Sequence, residues 1–270
     1  MNKKLLVVYN PKKENVKEIV KKITLKIKNL CNVEICSSEK INYKICNADL
    51  ILTLGGDGTI LKVGQYAVLK SIPVLGANLG GLGYLAEFQV GEIFDVIKKF
   101  FLGEITPQER MVLSIIYKNR KFFAINDVVV KPFSSKVCNV EVKIDKKTIT
   151  QIIGDGVIVA TPTGSTAYSL ACGGSIVEPD AEVILITPIS PHTLSIRPII
   201  ISSDKEIYLR IPLYKSNKKL IFSLDGQRNF NIKPLDEILV KKAEKRLLFI
   251  PNFKKGFYKI LTQKLSWGKR

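Results

Sequence analysis

Apolar residues in the first hundred positions follow two alternating patterns. Residues 5–9 are a continuous apolar run ending at Asn10-Pro11, the pattern of a buried strand followed by a turn. Val16, Ile19, Val20, Ile23, Ile27 and Leu30 then recur every three or four positions with lysines between them, which predicts an amphipathic helix. The same reading predicts strands at 33–36, 50–54 and 72–75 and helices at 58–70 and 91–101. Short buried strands alternating with helices imply a Rossmann-like α/β domain, a parallel sheet covered on both faces.

The rhythm changes after Gly103-Glu104-Ile105-Thr106-Pro107. Segments rich in β-branched residues follow at 111–117, 122–131, 137–144, 148–153, 156–161, 183–187, 206–211, 220–224 and 237–241. Turn pairs such as Lys118-Asn119, Asp145-Lys146 and Asp225-Gly226 separate several of them. One helix is expected around 165–171, and Phe257, Ile260, Leu261 and Leu265 predict another over 256–265. The expected class is α/β plus all-β: an α/β domain over 1–105, a β-rich, β-sandwich-like domain over 106–250, and a C-terminal segment over 251–270.

Composition narrows the function classes. The 270 residues are 46 % hydrophobic, enough for a sizeable core and too apolar for a disordered chain. No apolar run approaches the roughly 20 residues of a membrane-spanning helix. The net charge is +18, but the 42 basic residues are 35 Lys and 7 Arg, dispersed with nothing denser than pairs such as Lys3-Lys4, Lys21-Lys22 and Lys146-Lys147. Base reading favours the arginine fork. The charge therefore reads as a solvated lysine-rich surface, or as a field attracting a polyanionic small molecule, rather than as a nucleic-acid interface. Five cysteines (Cys31, Cys36, Cys46, Cys138, Cys172) without a CxxC, and His192 as the single histidine, exclude a Cys/His zinc site. The apolar stretch at the start is too short for a secretory signal, so a reduced, cytoplasmic protein is expected.

Two segments carry chemistry. The predicted strand 50–54 runs into Gly55-Gly56-Asp57-Gly58-Thr59 and then a helix. Ligands of open α/β sheets bind at the carboxyl ends of strands, glycines admit close backbone approach, and a helix start offers free N–H groups to a phosphate. Asp57 cannot attract phosphate by charge; it suits taking a proton from a hydroxyl or holding a metal, unless Asp-Gly here is only a turn pair. The second segment, Gly154-Asp155-Gly156 through Thr161-Pro162-Thr163-Gly164-Ser165-Thr166-Ala167-Tyr168, is a β-branched strand ending in a loop dense in hydroxyls and glycine. Such a loop fits ribose hydroxyls, phosphates or an amide, or simply caps a helix. Neither a GxxxxGK[ST] P-loop nor a GxGxxG opening the first helix is present, and Gly80-Gly81-Leu82-Gly83 is only weakly suggestive.

These segments, with the Asn126-Asp127 pair and Pro191-His192-Thr193, resemble the NAD kinase family in order and spacing over about residues 50–200. Asp225-Gly226-Gln227 and the ending Lys264-Leu265-Ser266-Trp267 extend the resemblance. It implies transfer of the γ-phosphoryl group of ATP, or of polyphosphate, to the 2′-hydroxyl of the adenosine ribose of NAD, with Mg²⁺ or Mn²⁺. Asp57 would accept the hydroxyl proton, with Gly56, Gly58, Thr59 and Lys62 at the nucleotide. Asn126, Asp127, Asp155, Thr163, Ser165, Thr166, Ala167, Tyr168, Ala171, Ser190 and Gln227 would bind NAD. The resemblance further implies a site between the domains, a last helix packed back on the first domain, and a homodimer or homotetramer, with no membrane and no nucleic acid as partner. Ile153 stands where the family often has Arg, Ala171 where it often has Ser, and Asp127 where many members have Glu, departures that read as tuning of NAD or NADH binding. GGDGT alone would also fit a lipid kinase, and the charge a nonenzymatic dinucleotide-binding protein. His192 reads as a turn-fixing residue; Tyr84 reads equally as lining a cofactor crevice or as a half-buried loop aromatic.

Overall fold

The computed structural model describes residues 3–41, 47–81, 83–134, 137–213 and 219–266; Cys46, Leu82 and Trp267 lie outside them. The chain forms two compact units, Met1–Glu109 with Leu247–Arg270, and Arg110–Arg246. The first unit starts with β1 (Lys4–Tyr9), α1 (Val16–Ile27), β2 (Asn32–Ser37), β3 (Leu50–Gly55), α2 (Asp57–Lys70), β4 (Val74–Asn78), β5 (Phe88–Gln89), α3 (Ile93–Phe101) and β6 (Gln108–Arg110). The second contains β7 (Leu113–Tyr117), β8 (Arg120–Ala124), β9 (Asp127–Pro132), β10 (Cys138–Ile144), β11 (Lys147–Gly154) and β12 (Gly156–Ala160). A 3-10 turn (Thr163–Thr166), α4 (Tyr168–Ala171), β13 (Val183–Ile189), β14 (Ile199–Ser202), β15 (Ile207–Arg210), β16 (Leu220–Leu224), β17 (Arg228–Ile232) and β18 (Glu237–Lys242) complete it. The chain then returns to the first unit as β19 (Leu247–Phe249) and α5 (Gly256–Leu265).

The first unit is the α/β fold its periodicity predicts. Its strands order as β2-β1-β3-β4-β19-β6, with β1 parallel to both β2 and β3. The chain direction across the sheet reverses between β1 and β3, and in open sheets the ligand crevice lies outside the strand ends at that point. Every residue of β3 is buried. α1 buries Val16, Val20, Ile23 and Ile27, its predicted stripe, against this sheet. α5 buries Ile260 and Leu261 and sets Lys264 Nζ 4.2 Å from the Tyr84 ring centroid, so the last helix packs within this unit.

Among the described residues the second unit is two six-stranded antiparallel sheets, β11-β10-β15-β18-β7-β8 and β14-β13-β12-β9-β16-β17. Inward residues of both sheets form one core, including Val140, Leu209 and Val240 from the first and Val130, Val157 and Phe222 from the second. This is the expected β-sandwich-like arrangement. Phe222 is fully buried, stacked on Phe230 at 4.7 Å and edge-on to Tyr117 at 5.1 Å. Phe222→Ala is expected to destabilise the fold by about 3–5 kcal/mol; a chemical denaturation midpoint unchanged from the parent would contradict this packing role.

Two expectations need correction. The strand expected over 122–131 is two strands, because the N–H groups of Ile125, Asn126 and Asp127 bond the Asp225 carboxylate. The helix expected over 165–171 is a 3-10 turn and a single turn of α4, broken at Ala167 (φ −97°, ψ −130°) and stopped by Gly173 at φ 83°. β5, β6, β14, β17 and β19 were not expected, and β5 and β6 are only two and three residues long. β17 alternates polar and apolar residues at a sheet edge, and β19 is only three residues long, below what periodicity resolves.

Candidate active site

At the end of β3 the backbone enters an extended Gly56 (φ −136°, ψ −170°) and then α2, whose first residue is Asp57. The Asp57 carboxylate accepts three backbone N–H bonds from the loop after β4: Tyr84 to Oδ2 at 2.9 Å, and Leu85 and Ala86 to Oδ1 at 3.0 and 2.8 Å. A carboxylate oxygen has two lone pairs, so Oδ1 is saturated and Oδ2 keeps one free. Glycines make this approach possible. A Cβ on Gly83 would lie 2.1 Å from Asp57 Oδ1, and one on Gly55 2.1 Å from Thr59 Oγ1. Gly83, from the glycine-rich stretch that is only weakly suggestive in the sequence, thus lies against the Asp57 carboxylate. Thr59 is buried, Lys62 half-buried and Gly58 exposed on the same first turns of α2. The Tyr84 hydroxyl is buried without a partner, and burial, then the Asp57 charge, raise its pKa. Tyr84 therefore adjoins the Asp57 turn rather than being an unrelated loop aromatic.

In the second unit a cavity of about 280 Å³ is lined by Asn126, Asp127, Val129, Lys131, Ala167, Tyr168, Ser223, Asp225 and Gly226. Four of the residues singled out in the sequence, Asn126, Asp127, Ala167 and Tyr168, meet there. Asp127 is buried, and its carboxyl is pushed up to about 7 by burial and secondarily by the neighbouring Asp225 charge. Asp225 is itself raised to about 6 by burial, against the lowering effect of its three N–H bonds. Tyr168 is 41 % exposed, open to a stacking partner, and lies within electrostatic reach of both Asp155 and Asp127.

The remaining candidates divide by what their atoms do. Ser165 Oγ accepts from Val177 N–H (3.0 Å) and donates to Val177 O, so it fastens the turn. Thr163 Oγ1 is buried without a partner, while Thr166 Oγ1 bonds back to Thr163 O. Asp155 and Ser190 are exposed and adjacent: Asp155 N–H bonds Ile189 O, and a Cβ on Gly154 would meet Ser190 O at 2.7 Å. Ala171 and Gln227 are exposed, and neither lines the cavity. His192 is exposed, and the turn is held by its backbone N–H on Ile153 O rather than by its imidazole. Val129, Lys131, Ser223, Asp225 and Gly226 were missed as site residues. Only the Asp-Gly turn pair at 225–226 left a signal in the sequence.

Among the described residues no three His, Cys, Asp or Glu side chains converge as a metal cage. No described helix is long and apolar enough to cross a membrane.

An aspartate presented by a glycine turn at a sheet switch point, and a sandwich cavity holding an amide–carboxylate pair and an open tyrosine, define a nucleotide-binding protein of the α/β-plus-β-sandwich class. The family model for the ATP-NAD kinase N-terminal domain matches residues 41–105, and that for the ATP-NAD kinase C-terminal domain matches residues 125–252. The chain is 42 % identical over 244 residues to the NAD kinase of Carboxydothermus hydrogenoformans, covering 88 % of this chain and 85 % of that one. To the NAD kinase of Methanothermobacter thermautotrophicus it is 38 % identical, covering 82 % and 78 %. Among solved structures, yeast NADH kinase complexed with NADH superposes with a TM-score of 0.87 at 25 % identity, covering 100 % of this chain and 89 % of that one. An NAD kinase from Archaeoglobus fulgidus in complex with ATP gives 0.79 at 27 %, covering 96 % and 99 %. The chain belongs to the NAD kinase family.

Proposed function

We propose that this chain transfers the γ-phosphoryl group of ATP to the 2′-hydroxyl of the adenosine ribose of NAD, with Asp57 as the proton acceptor. The observation that carries the reading is the Asp57 carboxylate, fixed by three N–H bonds with one lone pair of Oδ2 left over. The ribose O–H donates to that lone pair, its oxygen attacks the γ-phosphorus, the β–γ bridging P–O bond breaks, and the proton passes to Oδ2 as ADP leaves. Positioning and charge stabilisation carry most of such a transfer. Asn126 and Asp127 hold ribose hydroxyls, Tyr168 stacks on a base, Ala167 lines the same cavity, Ser165 fastens the turn that presents them, and Asp155, Thr163, Thr166, Ala171, Ser190 and Gln227 meet the parts of NAD that extend beyond this cavity. Gly56, Gly58, Thr59 and Lys62 serve the donor. The cation, Mg²⁺ or Mn²⁺, comes as part of the ATP substrate.

The lipid-kinase and nonenzymatic alternatives are not favoured, because GGDGT alone would leave the match over residues 125–252 unexplained. A homodimer or homotetramer belongs to the same proposal and rests on family resemblance, while a cytoplasmic location rests on the unpatterned cysteines. Active enzyme that scatters light only as a 30.2 kDa particle would remove the oligomer. The central test is an assay crossing NAD and NADH with ATP and polyphosphate. NADP from NAD and ATP is expected; no 2′-phosphorylated product from any pair would refute the function.

A further inference from the structure

The break between β8 and β9 places Asn126 and Asp127 at the cavity, and all six backbone polar groups of residues 125–127 are satisfied by just two residues. Asp225 takes the three N–H groups: Ile125 on Oδ2 at 3.0 Å, Asn126 and Asp127 on Oδ1 at 2.7 and 3.2 Å. Asp225 N–H in turn donates to Asp127 O at 3.0 Å. Thr161 takes the other two carbonyls, Oγ1 to Ile125 O at 2.6 Å and N–H to Asn126 O at 2.9 Å. Buried backbone groups must be paired somewhere, and a segment released from a strand ladder needs substitutes for it. Only an acceptor with two oxygens and no donor can take three converging N–H groups, so a carboxylate is the side chain that fits. The Asp225-Gly226 turn between β16 and β17, with φ 51° and 63°, aims that carboxylate back across the sheet.

We infer that Asp225 is a positioning residue for NAD: its carboxylate sets the backbone of 125–127 so that the Asn126 and Asp127 side chains meet the dinucleotide. The inference rests on the reading that this pair binds NAD. It carries a second consequence, because Asp225 and Asp127 share one cavity. The groups facing Asp127 are Asp225 from the β16–β17 turn, Ser223 from β16, Lys131 on its own strand, and Tyr168 and Cys172 at α4. Burial and the Asp225 charge both raise Asp127, so the ionised Asp127 that accepts ribose hydroxyls is lost as pH falls through about 7. Taking away the Asp225 charge lowers the pH at which this loss occurs.

The test is steady-state kinetics of Asp225→Asn against the parent, from about pH 5.5 to 8.5, a span that brackets the raised carboxyl values. The asparagine keeps one acceptor oxygen and turns an NH₂ toward Ile125 N–H. The KM for NAD is expected to rise about tenfold or more, with the KM for ATP within about twofold. The acid limb of kcat/KM for NAD is expected to move to lower pH by about half a unit or more. Amide hydrogen exchange at 125–127 is expected to quicken about tenfold while β12 amides stay unchanged. Unchanged KM for NAD and an unmoved limb would overturn the inference, as would equal loss toward both substrates. Asp225→Ser, smaller and without the opposing NH₂, gives the same readouts if the asparagine variant does not fold. A parent enzyme that makes no NADP would count against the function, whereas exchange at 125–127 still tests the geometry without turnover.

Discussion

Asp57→Asn is expected to cut NADP formation by about 10²–10⁴-fold, the usual contribution of a general base, with KM for NAD changing only about threefold. The side chain is isosteric, and its oxygen can keep the Leu85 and Ala86 N–H bonds that Oδ1 accepts in the parent. At the Oδ2 position stands an NH₂, which opposes the Tyr84 N–H and offers the ribose hydroxyl a donor where an acceptor is needed. The loss should therefore fall on kcat, in a protein whose thermal midpoint stays close to the parent's. Nearly full NADP formation by the folded variant would show that Asp57 is not the base.

Gly164→Ala should be among the most damaging single methyls in the molecule's second unit. Its Cβ would lie 2.0 Å from Asn126 O, 2.5 Å from Asn126 C and 2.7 Å from its Cα, all backbone atoms. That carbonyl cannot swing aside, since Thr161 N–H holds it at 2.9 Å, and Thr161 Oγ1 also accepts from Gly164 N–H. A destabilisation of about 3 kcal/mol is expected, at the upper end for overpacking, with at least about tenfold weaker NAD binding because the segment forced away carries Asn126 and Asp127. Gly91→Ala is the control: a Cβ there meets nothing within 4 Å, and its effect should stay within about 0.5 kcal/mol. Calorimetry of NAD binding and denaturant titration of both variants separate the outcomes. Equal behaviour of the two would mean the Gly164–Asn126 contact is relaxed in solution.

The α/β half was legible because its signals are local. A stripe such as Val16, Val20, Ile23 and Ile27 is a helix face wherever it is found, and 50–54 is too apolar to be anything but buried. The strand count of the sandwich was less so. β17 presents Asn229 and Asn231 between Phe230 and its neighbours, a polar alternation that belongs to a sheet edge, and edges are assigned by neighbours rather than by composition. The break at 125–126 was invisible for a related reason: the residue that makes it, Asp225, is about a hundred positions away.

The sequence alone determined the two fold classes, the glycine turn carrying Asp57, and the hydroxyl-rich block from Thr161 to Tyr168, because each is encoded in residues that are neighbours along the chain. Its +18 charge is dispersed and singles out no site, while the candidate residues include a handful of aspartates. Only the tertiary structure decided what holds those aspartates. The N–H groups of 84–86 fix Asp57, Gly83 makes room for its carboxylate, and Asp225 with Thr161 replaces the strand ladder around Asn126 and Asp127. These are hydrogen bonds and steric fits between segments 26 to 100 residues apart, and no local pattern records which distant donor a buried carboxylate will meet.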